Sequence, residues 1–140
     1  MAHKYHLDPY RKVDASTQGL GNHHTLFDFE TMSEFYVKQV YADKEPDLGQ
    51  TVDDAVRLVV DQEPCGSSRE NFVDHMRALT SSFVDAAVDY AEWPDLHVYV
   101  TQCPVTCKRP DGTATTFKNT LVFGDPPEHK IVEWRIDTDT

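Results

Sequence analysis

The chain has no apolar run long enough to cross a bilayer, no cluster of basic side chains and no glycine-rich phosphate loop. The first absence excludes a membrane-spanning helix. With 24 acidic residues against 13 basic ones and a net charge of -11, a phosphate backbone or an anionic membrane is a poor partner, so neither nucleic acid nor membrane is expected. The segment from Met1 to His6 lacks the apolar core of a signal peptide, which places the protein in the cytoplasm. Cysteine is scarce: Cys65, Cys103 and Cys107 cannot all pair within one chain, which suits a reducing compartment. Cys103 and Cys107 on one extended strand lie about 13 Å apart, whereas two ligands of one zinc sit within about 4 Å. No metal site is expected there, and the thiols read as small buried or half-buried groups.

What is present is a chain of one domain's length, 140 residues and 39% hydrophobic, able to bury roughly two-thirds of its unfolded surface. Residues 1–28 carry His3, His6, His23 and His24 around a Gly19-Leu20-Gly21-Asn22 break with little periodicity, so they read as an irregular arm before a single domain over 29–140. Two helices then have legible starts. Thr31 and Glu34 have capping-box spacing ahead of a stripe holding Met32, Phe35, Tyr36, Gln39 and Val40. Ser67 and Glu70 repeat the device before Phe72, Val73, Met76 and Leu79, with His75 at the edge of that stripe. Between them, 47–54 suggests a short helical turn and 56–63 a strand ending at Pro64, with Val56, Leu58 and Val60 on one face.

From Val84 to Asp137 the period changes to two, and the predicted strands follow the helices instead of alternating with them. Ala86, Val88 and Tyr90 alternate up to Trp93, and Pro94-Asp95 turns the chain. Leu96, Val98 and Val100 share one face of the next strand, with His97, Tyr99, Thr101 and Cys103 on the other. Pro110-Asp111-Gly112 is a strong hairpin signal, because Gly supplies the positive φ of a tight turn. Thr115, Phe117, Asn119, Leu121 and Phe123 line one face of the third strand, which sets an amide among apolar neighbours. A last strand over 130–137 follows, with Val132, Trp134 and Ile136 opposite Glu133, Arg135 and Asp137. Helices before an antiparallel sheet describe an α+β fold: a curved, mostly antiparallel sheet wrapped around the N-terminal helices, forming a cone with an apolar pocket.

The order of Asp53-Asp54-Ala55, a strand closed by Glu63-Pro64, a turn holding Gly66, a capped helix and four strands ending in Lys130-Ile131-Val132-Glu133-Trp134-Arg135 resembles the SnoaL-like polyketide cyclases and ketosteroid isomerases, which share the cone fold of nuclear transport factor two. The resemblance covers about residues 30–138. It implies a helix tyrosine at Tyr36, a carboxylate base before a proline at Glu63, and a hydrogen-bond donor at Asn119, where ketosteroid isomerases carry a protonated Asp. Where related epoxide hydrolases place an Asp after the final Trp-Arg, Ile136 stands here, which disfavours hydrolysis.

Such a trio has a chemical logic. A carboxylate in an apolar pocket becomes more basic, and the enolate formed from a carbonyl compound needs donors such as a tyrosine hydroxyl and an amide. No cofactor is required. Each residue also has a plainer role: Tyr36 as core with a satisfied hydroxyl, Glu63 as a solvated strand end, and Asn119 as a buried amide bonded to the protein. His75, Tyr90, His97, Val100, Phe117 and Trp134 are the expected pocket lining, with Tyr90 and Trp134 equally able to fill the space. The expected function is cofactor-independent isomerisation, cyclisation or dehydration of a small hydrophobic carbonyl compound. A non-catalytic binder of a small hydrophobic molecule and a dimerisation module with a plugged cone remain open beside it. A homodimer is expected through the outer sheet face, where Tyr99 and Val105 need cover.

Overall fold

The computed structural model of the chain describes residues 10–13, 24–42, 48–49, 51–94 and 99–139. A first hairpin pairs β1 (Tyr10–Val13) with β2 (His24–Phe27), inside the stretch whose sequence reads as irregular. Strands of four residues are too short for a period to show, though Tyr, Val, Thr and Phe all favour the extended backbone. His3, His6 and His23 lie outside the described residues.

Helix α1 (Phe29–Ala42) begins earlier than the Thr31 spacing predicts. Asp28 is the residue at its start: the carboxylate accepts from the Thr31 amide at 3.2 Å and from the Thr31 hydroxyl at 2.9 Å. Glu34, expected in a capping role, instead turns into the protein and accepts from the Ala91 amide at 3.1 Å. Helix α2 (Arg69–Thr80) is capped one residue later than expected, by Ser68, which accepts from the Asn71 amide. Among the described residues no helix is long and apolar enough to cross a membrane.

The main sheet has six strands in the order β4-β3-β8-β7-β6-β5. These are β3 (Val52–Val60), β4 (Glu63–Gly66), β5 (Asp85–Val88), β6 (Val100–Lys108), β7 (Ala114–Phe123) and β8 (Ile131–Asp139). Only the β3–β8 ladder is parallel. Within the stretch 47–54, read as a short helical turn, the Leu48 carbonyl accepts from the amides of Thr51 and Val52, three and four residues on, as in a helical turn, and 52–54 open β3. At the other end β3 stops at Val60. Asp61 and Gln62 adopt φ 47° and 70°, both positive as a two-residue hairpin requires, and Glu63 opens β4 on the way back.

The inner face of β7 and β8 is read correctly from alternation, whereas on β6 it falls on the side of Thr101 and Cys103 and not on that of Val100. Thr101, Cys103, Val105 and Cys107 of β6 and Phe117, Asn119, Leu121 and Phe123 of β7 are buried, as are Trp134 and Ile136 of β8 and Val52, Val56 and Leu58 of β3. Both helices lie over this face: α1 against β5 and β6, α2 against β3. The outer face carries Glu133, which bridges Arg57 across the β3–β8 ladder at 3.1 Å and Arg135, two residues on in β8 itself, at 2.7 Å. Val105, expected on that face, is fully buried, and Tyr99 packs on Phe29 and His129. Neither of those two residues therefore lies in an outer apolar patch.

Candidate functional site

Asn119 sits at the centre of the cone with no solvent exposure. Its Oδ1 accepts from the Trp134 indole N–H at 2.8 Å and from the Tyr41 hydroxyl at 2.9 Å, while Nδ2 donates to the carbonyls of Cys103 at 3.2 Å and Phe117 at 3.3 Å. The partners fix the orientation of the amide. An indole N–H only donates and a backbone carbonyl only accepts, so Oδ1 must face Trp134 and Nδ2 the strands. Oδ1 being an acceptor, the Tyr41 hydroxyl has to donate its one proton inward. Burial pushes the Tyr41 pKa far up, which keeps that proton in place.

This geometry corrects the expected catalytic trio. Asn119 has no donor left for an enolate oxygen, and the tyrosine that reaches it is Tyr41, which the sequence reading missed. Tyr36 is buried as expected, but its ring lies beside Phe123, and Asn119 and Phe123 stand about 13 Å apart along β7. Glu63 is exposed on the hairpin at the edge of the sheet, three strands from β7 in the strand order. A carboxylate there stands in solvent, outside any apolar pocket.

The predicted lining separates in the same way. Phe117 is buried, with its ring 6.1 Å from Tyr41 and 5.8 Å from Phe83. Trp134 is fully buried and packs on Phe72 at 4.9 Å, so it fills the cone instead of lining a hollow. Val100 belongs to the outer face, because Thr101 beside it points in. Tyr90 is 72% exposed. Beyond β5 the buried position falls on Ala91, which slips the alternation by one residue and turns Tyr90 outward. His75 is half-buried on α2 with its Nε2 buried and without a hydrogen-bond partner among the described residues. His97 lies outside the described residues.

Among the described residues a cleft opens at one end of the cone, where α1 and α2 finish against edge strand β5. It is a cleft of about 220 Å³, lined by Tyr41 and Ala42 of α1, Thr80 of α2, the Phe83–Ala86 stretch and Cys107. The Arg109 guanidinium lies 5.0 Å from the centre of the Phe83 ring and donates to Thr115. Burial first, and then the nearby Asp85 carboxylate, push the Cys107 thiol up to about 11, with Arg109 pulling the other way. Cys107 is thus a protonated thiol at neutral pH and a poor nucleophile. Its folded pKa exceeds the ordinary value of 9.0, so the protonated form favours the fold below pH 9 and that contribution is lost as pH rises toward about 11. Two results are expected: little alkylation of Cys107 by iodoacetamide at pH 7 under native conditions, read by peptide mass spectrometry, and a fall in denaturation midpoint between pH 9.0 and 10.0 that a Cys107→Ala variant lacks, the raised Tyr41 pKa adding a fall of its own above pH 10.0 in both proteins.

At the far end of the cone lies an aromatic cluster. Phe29 meets Trp93, Tyr99, Phe123 and His129 with ring centres 5.0–5.4 Å apart, and the His129 ring bonds the Gly124 carbonyl. Nearby, the buried Ser33 and Thr101 hydroxyls join α1 to β6.

No protein-family model and no curated protein matches the chain. Solved structures do. An NTF2-like protein of unknown function from Exiguobacterium sp. superposes with a TM-score of 0.59 at 20% identity, over 77% of this chain and 97% of that one. A SnoaL-like family protein from Agrobacterium tumefaciens, provisionally named an isomerase, gives 0.55 at 18% identity over 78% and 99%. A SnoaL-like protein from Jannaschia sp., provisionally named a polyketide cyclase, gives 0.52 at 16% identity over 83% and 91%. With its two helices laid over a six-stranded, mostly antiparallel sheet, the chain has the NTF2-like α+β cone fold that SnoaL-like proteins share.

Proposed function

We propose that the chain binds a small, largely apolar molecule in the cleft between Tyr41, Phe83 and Cys107, and that it holds this ligand without turning it over. The observation that carries this reading is the fully engaged Asn119 amide. Enolate chemistry needs preorganised donors at the oxygen where charge develops, and the donors of Tyr41 and Asn119 are spent on the protein itself. The base expected at Glu63 is out in solvent. At about 220 Å³ the cleft falls below the roughly 300–1,000 Å³ of drug-sized sites, so a compound near the size of one or two aromatic rings fits best.

A second reading has support from Asp85, the carboxylate among the residues lining the cleft, and from the names given to two of the fold relatives. In it, Asp85 serves as general base for isomerisation or cyclisation of a small carbonyl compound at this same cleft. Titrating the full chain with indole, followed by backbone NMR shifts, tests the first reading. Shifts are expected around Tyr41, Thr80 and Cys107, and Ala42→Phe, which fills the cleft from an exposed position, should abolish them. Glu63→Gln should leave both binding and stability unchanged, the latter within about 0.5 kcal/mol as for most surface changes. Indole shifts that survive Ala42→Phe would contradict the assignment of the cleft.

A further inference from the structure

Two strands end the main sheet, and they are guarded differently. The edge at β4 is blunted by Pro64, which has no N–H to offer, and by Gly66, whose φ of 143° breaks the extended backbone. At β5 the backbone is open. Asp89 gives its N–H to the Pro104 carbonyl, and every second residue of an antiparallel strand turns to the same neighbour. Asp85, Ala87 and Asp89 therefore face β6, while the N–H and C=O groups of Ala86 and Val88 point to the free side, where no strand pairs with them among the described residues. The side chains of this stretch carry one sign of charge. Between Arg77 and Lys108 the sequence holds four acidic residues and no lysine or arginine. Asp85, Asp89 and Glu92 are exposed, with Lys108 directly across the ladder from Asp85, and the exposed large hydrophobics among the described residues, Val84, Tyr90 and Trp93, flank them. Glu92 pairs with Gln102 one residue out of the β5–β6 register, an extra residue that bends the strand. The straight part of the edge runs from Asp85 to Asp89, about 16 Å.

We propose that this edge takes an added strand: a basic, extended segment of a partner protein in which lysine or arginine alternates with small apolar residues. The backbone groups of Ala86 and Val88 supply the hydrogen bonds. Asp85 and Asp89, which share the outer face with Ala87, draw the cations, and the apolar residues of the segment fall beside the half-buried Ala86 and Val88 on the inner face. A second copy of the chain fits badly, because β5 paired antiparallel with itself sets Asp85 of one copy against Asp89 of the other, and like charges directly opposite repel. The same charge that blocks self-pairing thus selects a basic strand. The net charge of -11 favours that partner over longer range as well. This surface does not depend on what the cleft binds.

The test uses a blocked six-residue peptide of alternating lysine and valine, titrated into the full-length chain and followed by backbone NMR. Shifts are expected from Val84 to Asp89, with the glutamate and valine counterpart binding at least about tenfold more weakly, the scale of two or three exposed ion pairs. N-methylation of the valines, whose amides face β5 opposite Ala86 and Val88, should abolish binding, whereas N-methylation of the lysines, whose amides face away, should leave it. Asp85→Lys combined with Asp89→Lys, both at exposed positions, should pass the preference to the glutamate peptide with the native spectrum retained. Lysine-peptide binding that survives valine N-methylation, or that ignores the double change, would overturn the proposal. So would failure of the lysine peptide to bind, or a dimer of the chain alone that moves the same Val84 to Asp89 signals.

Discussion

Replacing Asn119 with Leu should cost the fold about 3–5 kcal/mol, the largest single-residue effect in the protein. The substitution is close in size but leaves four buried groups without partners: the Tyr41 hydroxyl, the Trp134 N–H and the carbonyls of Cys103 and Phe117. Each such group costs about 1–3 kcal/mol, and local relaxation recovers part of the sum. For a chain of 140 residues this corresponds to a drop of roughly 10–20 °C in Tm. Urea and thermal denaturation measure it directly. An amide that served a ligand would show the reverse pattern, with binding lost and stability nearly intact, so a loss below about 1 kcal/mol would remove Asn119 from the structural role given to it here.

Trp134→Ala should be nearly as severe, about 3–5 kcal/mol, because it empties a large space beside Phe72 and orphans half of the Asn119 acceptor. Trp134→Phe separates the two contributions. It retains most of the ring packing and removes the N–H, while Tyr41 still occupies Oδ1, so about 1–2 kcal/mol is expected. Asn119→Ala and Trp134→Phe touch one network, and their double variant should fall short of the sum by at least about 0.5 kcal/mol. Strict additivity would mean that the indole N–H and the amide act independently.

The parts of this architecture that repeat every second residue were legible in the sequence. β7 shows its buried face from Phe117 to Phe123 without ambiguity, and the Glu133–Arg135 side reads as solvent-facing because the opposite face holds Trp134 and Ile136. The parts that depend on where a strand stops were not. Asp61 and Gln62 carry the positive φ values that Asn-Gly or Asp-Gly would have announced, so β3 reads straight through to Glu63 and the edge hairpin is hidden. One slipped residue between Val88 and Ala91 reverses the side on which Tyr90 stands.

The site was harder still. Helix α1 is buried over most of its circumference, including Met32, Ser33, Glu34, Tyr36, Val37, Val40 and Tyr41, so the sequence offers two inward tyrosines. They lie about 7.5 Å apart along the helix axis and about 140° apart around it. Only the docking of α1 on β6 and β5 selects Tyr41 as the partner of Asn119. The amide itself was visible as a polar group on an apolar face. Whether it points to a ligand or to the protein depends on donors and acceptors supplied by three other segments, which no local pattern encodes.

Whether that amide is closed to outside partners is tested most directly by solvent exchange of the Asn119 side-chain NH₂ protons in the native protein, followed by NMR. With both protons held by the Cys103 and Phe117 carbonyls, exchange should be slowed by at least about a thousandfold relative to a free asparagine, as for core groups released only by large openings. Exchange at the free rate would show an amide in contact with water and available to a ligand, and would restore the cone interior, in place of the Tyr41–Asp85 cleft, as the seat of function.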